Sequence, residues 1–239
     1  MNNKIQHICR YIVSLYKKDS AILGVMLFGS VVRGKFDKFS DVDIYILRNR
    51  TGRYSRESLI INNIRIDVII NTTQEAKTYL KEDKCNVRRN TSHMLAYGQI
   101  MYEHGKILNR LQKMAKNNLK LKTKYTTEEV LMHKYSIDDF WGEVQRDYKS
   151  GNDLAFTLDA NLLINNAIEL FLKLNGEYFR QPNEMQQLIY KLNPNLALIL
   201  NKYIRAKNNK IKLRALSNLM KYTYKISGGA LPDKWHIKR

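Results

Sequence analysis

The sequence predicts an α/β head over residues 1–105 followed by an antiparallel helical bundle over residues 106–239. Three observations lead there. Up to Gly105, short apolar runs of strand length, bounded by Gly or Asn, alternate with stretches of helical spacing. Beyond Gly105, Gly and Pro become sparse and helical spacing dominates. Both halves fall within the usual size of a domain, and no internal repeat or low-complexity linker interrupts either.

Each element follows in order. Ile5, Ile8, Ile12, Val13 and Leu15 recur at helical spacing, so Asn2–Lys18 reads as a helix. Ala21–Phe28 is an apolar strand broken by Gly29-Ser30, and Ser30–Arg33 opens a helical turn. Gly34–Ser40 is a polar loop, followed by a strand Val42–Leu47. Residues 60–70 read as two strands around Asn62-Asn63, because Asn tolerates the positive φ of a tight hairpin turn. Thr73–Lys84 is a helix with Thr73 as candidate N-cap, and Asn90–Ala96 a second helix ending at Gly98. Gln99–Tyr102 is a last short strand. The second half holds candidate helices at 106–120, 127–149, 154–174, 183–192, 195–206 and 210–227, with breaks at Gly151-Asn152, Gly176, Pro182 and Pro194.

Composition narrows the setting. Of 239 residues 44% are hydrophobic, enough for a folded core, and no run approaches the ~20 apolar residues that span a bilayer. The N-terminal residues lack the apolar segment and cleavage site of a signal peptide. Cys9 and Cys85 are far apart and in unlike contexts, which gives neither a disulfide framework nor zinc spacing. The expectation is a cytoplasmic protein with reduced thiols and no membrane contact. The net charge is +19. Lys, Asn, Ile and Tyr are all abundant, as AT-rich codons would produce, yet the cations are also clustered. Lys106, Arg110, Lys113, Lys116, Lys120, Lys122 and Lys124 form one run without an acid. Lys202, Arg205, Lys207, Lys210, Lys212, Arg214, Lys221 and Lys225 form another. Such runs attract polyanions through counterion release; the plainer reading is a solvated helix face.

The chemistry concentrates between residues 27 and 70. Asp41 and Asp43 flank Val42, and alternate residues of a strand share a face, so both carboxylates project together while Val42, Ile44 and Ile46 point away. Two carboxylates on one edge call for a cation, and Mg²⁺ takes one or two of them while leaving positions for substrate phosphates. Asp67 lies among β-branched neighbours, where an unpartnered acid is costly. A metal shared with Asp41 and Asp43 removes that cost. Gly29 lets the backbone approach a phosphate, and Ser30 stands where free N–H groups and its hydroxyl can hold one. Taken alone, Ser30 would be a helix cap and Arg33 and Lys35 solvated surface charges.

The ordered set Gly29-Ser30, Asp41-x-Asp43 and a strand Asp67 resembles the nucleotidyltransferase superfamily of the DNA polymerase β type. Within it the chain is similar to small prokaryotic enzymes related to aminoglycoside and lincosamide nucleotidyltransferases. The motif resemblance covers residues 20–75; the helical half resembles the family only in layout. It implies a catalytic head with a mixed sheet, transfer of an NMP from an NTP such as ATP to a hydroxyl, and two Mg²⁺ or Mn²⁺ ions about 3.5–4 Å apart. Asp41, Asp43 and Asp67 become the metal ligands and catalytic residues, Asp67 as ligand or as general base. Gly29, Ser30 and Arg33 become the nucleotide-binding residues. The related enzymes are often homodimers in which a helical-domain carboxylate assists the facing active site; Glu143, which shares a helix face with Asp139, is the candidate here, with Asp159 and Glu169 as alternatives, and the plainer reading of Glu143 is a solvated helix acid. The acceptor divides the reading. A cationic antibiotic wants an acidic pocket, whereas an RNA end such as that of tRNA suits the charge; Tyr222 and Tyr224 lie inside the second basic run, where rings could stack on bases, although at helical spacing core packing is the plainer role for at least one of them. The alternative from another class is a nucleotide- or RNA-binding module without turnover.

Overall fold

A computed structural model gives the fold and describes residues 3–50 and 55–237. The chain divides into two compact units, Met1–Leu121 and Lys122–Arg239.

The first unit is a five-stranded mixed sheet covered on both faces. Its strands are β1 (Ile22–Phe28), β2 (Val42–Arg48), β3 (Arg56–Ile61), β4 (Ile64–Thr72) and β5 (Gln99–Glu103), in the order β3-β4-β2-β1-β5. Only β2 and β4 run parallel; the other neighbours are antiparallel. Asn62 and Asn63 both take positive φ, 51° and 61°, and close the β3–β4 hairpin as their residue type predicts.

Helix α1 (Asn3–Tyr16) buries Ile5, Ile8, Cys9 and Ile12, one stripe at helical spacing, against Val25, Leu27, Ile44, Ile46 and Val68 on one sheet face. Asn2, the expected first residue of this helix, lies outside the described residues. The opposite face presents Met26, Tyr45 and Leu47 to three further helices: α3 (Thr73–Asp83), α4 (Asn90–Tyr97) and α5 (Ile107–Lys120). A sheet covered on both sides explains the unbroken apolar runs of β1 and β2.

Two details differ from the sequence expectation. Thr72, not Thr73, caps α3: its hydroxyl accepts from Glu75 N while the Glu75 carboxylate accepts from Thr72 N at 2.7 Å, a reciprocal capping box. Helix α5 belongs by its packing to the first unit, because Leu108, Leu111 and Ala115 complete the core beneath β1. It is tied there by Arg89, the largest fully buried side chain among the described residues, whose guanidinium donates to the carbonyls of Asn118 (2.5 Å) and Leu121 (2.8 Å).

The second unit consists of α6 (Thr127–Ser150), α7 (Asp153–Leu174), α8 (Pro182–Leu192), α9 (Pro194–Ile204) and α10 (Asn209–Ile226). α7 supplies the centre, with Phe156, Ala160, Leu163, Leu170 and Phe171 buried, and packs along α6 and α10. Pro182 and Pro194 stand at the first turns of α8 and α9, where the missing N–H costs nothing. No helix among the described residues is long and apolar enough to cross a membrane.

Candidate active site

The site is assembled where β1 ends and β2 begins. Phe28, the last residue of β1, pairs across the sheet with Asp43. The chain then turns at Gly29 with φ +76°, a conformation that suits glycine, into the single-turn helix α2 (Gly29–Val32). A Cβ at Gly29 would fall 1.9 Å from Asp43 Oδ2. The glycine therefore makes room for the Asp43 carboxylate itself, a stronger constraint than the phosphate approach its residue type implies. Ser30 follows, its hydroxyl buried and without a hydrogen-bond partner. A buried hydroxyl left unpaired costs about 1–3 kcal/mol, so this oxygen is poised for a ligand group. Arg33 caps the turn and is exposed, as is Lys35.

Asp37 then organises the loop, accepting from Phe39 N (2.9 Å) and from the Ser40 hydroxyl (3.0 Å), and delivers Asp41 immediately before β2. Asp43 and Asp67 are direct partners in the parallel β2–β4 pairing. Neighbouring strands lie about 4.8 Å apart and opposed residues share a face, so the two carboxylates stand side by side. On the far side of β4, Arg56 of β3 reaches Asp67, its Nη2 3.7 Å from Oδ2.

Charge confirms that these groups share one neighbourhood. The Asp43 carboxyl is pushed up from 3.8 to about 6, first by burial, then by the negative charges of Asp41 and Asp67; Arg33 and Arg56 pull it back in part. Among the described residues no three His, Cys, Asp or Glu side chains close into a metal-ligand group. The donor set nevertheless fits a hard divalent cation: carboxylate oxygens only, on adjacent strands, with mutual repulsion that a cation would relieve. The orphaned Ser30 hydroxyl beside them fits a phosphate oxygen.

Arg56 is a neighbour of the site that the motifs do not mark, although the sequence carries a signal for it. Counting back from the Asn62-Asn63 turn pairs Ser58 with Asp67 and places Arg56 two residues along on the same face. The aromatic candidates of the second basic run turn out to be engaged. Tyr222 packs on Phe171 with ring centroids 6.3 Å apart, and the Tyr224 hydroxyl donates to Asp138. In the helical unit Glu143 is held by Arg146, whose Nε donates to it at 3.0 Å. Glu169 faces Lys173 (3.7 Å) and His133 (3.8 Å). Asp159 is pushed up by burial, then by a hydrogen bond and charge from Asp147 and by Glu143 and Asp139, so these acids form one cluster on α6 and α7.

A mixed sheet with this strand order, flanked by helices on both faces and followed by a helical unit, is a nucleotidyltransferase fold. The sequence profile of the family described as "Polymerase beta, Nucleotidyltransferase" matches residues 10–134, more than half the chain. The chain belongs to that family. Among solved structures it is similar to a nucleotidyltransferase-like protein from Exiguobacterium sibiricum 255-15, at 15% identity and a TM-score of 0.54, over 94% of this chain and 77% of that one. At that identity the likeness is one of fold. No curated protein matches the sequence significantly.

Proposed function

We propose that this chain transfers a nucleoside monophosphate from an NTP to a hydroxyl of an acceptor, an RNA end or a small molecule, with Mg²⁺ or Mn²⁺ as cofactor. Met1–Leu121 is the catalytic unit in this reading. One observation carries it. Asp43 and Asp67 stand in register on adjacent strands, and Asp43 is raised to about 6 by burial and by the charges of Asp41 and Asp67. A fold has no structural use for that repulsion; a cation site does.

Held by Asp41, Asp43 and Asp67, the metal would polarise the α-phosphoryl group and offset charge on the departing pyrophosphate. The chain's own residues do the rest. The Ser30 hydroxyl donates to a phosphate oxygen and gains the partner it lacks. Gly29 keeps the Asp43 carboxylate against the turn, so that phosphate site and carboxylates stay together. Arg33 offsets triphosphate charge from the rim. Asp67 completes the ligand set or accepts the proton of the attacking hydroxyl. The acceptor oxygen bonds to the α-phosphorus as the bond to the bridging oxygen of pyrophosphate breaks.

The test is incubation of the full chain with each α-labelled NTP, Mg²⁺, and either total RNA or a small-molecule extract. Label should pass to one class of acceptor, and Asp43→Asn should abolish the transfer while its circular dichroism matches wild type. Undiminished transfer by Asp43→Asn, or no transfer from any NTP to either extract, would overturn the proposal.

A further inference from the structure

The helical unit carries two adjoining hollows that the transfer chemistry does not use. The first, about 590 Å³, lies between α9 and α10. That volume is within the roughly 300–1,000 Å³ range of ligand sites. Its rim holds Lys202 from α9, Arg205 at the C-cap of α9, Lys207 before α10, and Arg214 from α10; its floor is apolar, with Leu198 and Ile211 54% and 45% exposed. Among the described residues no acid lines it, and residues 194–226 contain eight Lys or Arg and no Asp or Glu. The second hollow, about 390 Å³, lies between α8 and α9 and differs in character. It is lined by the amides of Asn183, Gln186 and Gln187 and by Tyr190, whose side chain is 61% exposed. Asn201 borders both, so the two hollows adjoin on α9 and can be followed as one track.

From this track we infer a docking site for single-stranded RNA across α8–α10. Each component of a nucleotide has a counterpart. Four cations without an opposing acid take phosphates. An exposed tyrosine and an apolar floor take base faces, which only an unpaired strand offers. Amides that both donate and accept can meet base edges and the 2′-hydroxyl, the group that separates RNA from DNA. A polyanion bound by charge alone would need neither the tyrosine nor the amides. The inference does not rest on the transfer reaction: it concerns binding that occurs without NTP or metal.

The experiment is fluorescence anisotropy of the full chain with a labelled 12-nucleotide single-stranded RNA of mixed sequence, in EDTA, across a salt series. Replacing Lys202, Arg205, Lys207 and Arg214 together with Gln should weaken binding at least tenfold. It should also reduce the slope of log affinity against log salt by about 3, from roughly 0.7 per lost phosphate contact. A control removing the same charge elsewhere, Lys106, Lys113, Lys116 and Lys120 to Gln, should cost threefold or less. Tyr190→Ala should weaken binding fivefold or more and leave the salt slope unchanged, which a purely electrostatic surface would not produce. Equal losses in the two quadruple variants, no effect of Tyr190→Ala, equal affinity for DNA of the same sequence, or equal displacement by polyglutamate would each overturn the inference. Because neither NTP nor free metal is present, failure here leaves the transfer proposal standing, and failure of transfer leaves this one standing.

Discussion

Asp43→Asn should stabilise the metal-free protein while removing its activity. The wild-type carboxyl is raised from 3.8 to about 6 by burial and by its neighbours Asp41 and Asp67. A raised carboxyl destabilises the folded state once it ionises. Below about pH 4 Asp43 is protonated in both folded and unfolded chains, and there is no penalty. Between pH 4 and 6 the unfolded chain releases the proton while the folded one retains it, so folded stability falls as pH rises. Above pH 6 the penalty is complete. Its ceiling is about 3 kcal/mol, because each tenfold change in proton affinity is worth about 1.4 kcal/mol. Solvent reaches this half-buried group, which reduces the figure to about 1–2 kcal/mol. Asparagine keeps the shape without the charge. In calorimetric melts with EDTA, the variant should unfold roughly 3–8 °C above wild type at pH 7.5 and within a degree of it at pH 4. Added Mg²⁺ should raise the wild-type transition and leave the variant unmoved. A variant no more stable than wild type at pH 7.5, or an equal gain at both pH values, would mean that the Asp43 charge carries no such penalty.

Three further outcomes follow from the geometry. Gly29→Ala combines φ +76° with a Cβ 1.9 Å from Asp43 Oδ2; it should cost about 1–2 kcal/mol from backbone strain and, by displacing the carboxylate, at least a hundredfold in transfer rate, read by label transfer beside a denaturant titration. Arg89→Ala removes the guanidinium donor from the Leu121 carbonyl, leaves the Asn118 carbonyl only its bond from Leu121 N, and empties a buried site; urea unfolding should show a loss of about 3–5 kcal/mol, with Arg89→Lys recovering less than half because one ammonium cannot span both acceptors. Arg56→Ala removes a cation that lowers the Asp43 carboxyl and faces Asp67; the acid limb of the pH–rate profile should move upward, whereas a profile that stays in place would separate Arg56 from the site.

Much of this architecture is legible in the sequence alone. The strand parity of Asp43 sets its face opposite Val42, Ile44 and Ile46, and an Asn-Asn turn sets the hairpin, because both depend on periods of two and on residue types that act locally; the pairing of Asp43 with Asp67 needs the β2–β4 register. The helices are legible from apolar spacing. What the sequence hides depends mostly on contacts between distant residues. The choice of Thr72 over Thr73 as cap is the local exception, decided by Glu75 three residues on, a spacing readable in principle. The membership of α5 in the first unit depends on which sheet face Leu108 and Leu111 meet. The reason for Gly29 lies in Asp43, fourteen residues away, and emerges only once β1 and β2 are paired. Helical spacing foretells that at least one of Tyr222 and Tyr224 packs inward, but their partners, Phe171 and Asp138, come from other helices and are set by the packing. The hollows along α9 arise from how three helices cross, which no single helix pattern encodes.

The most direct measurement is a crystal structure of the full chain with Mn²⁺ and an α,β-methylene NTP analogue, with the metal located by anomalous scattering. Manganese should be bound by Asp43 together with Asp41 or Asp67, with triphosphate oxygens on the Gly29 and Ser30 backbone and on the Ser30 hydroxyl. Manganese and nucleotide bound elsewhere, with Asp43 and Asp67 facing only water, would contradict this placement.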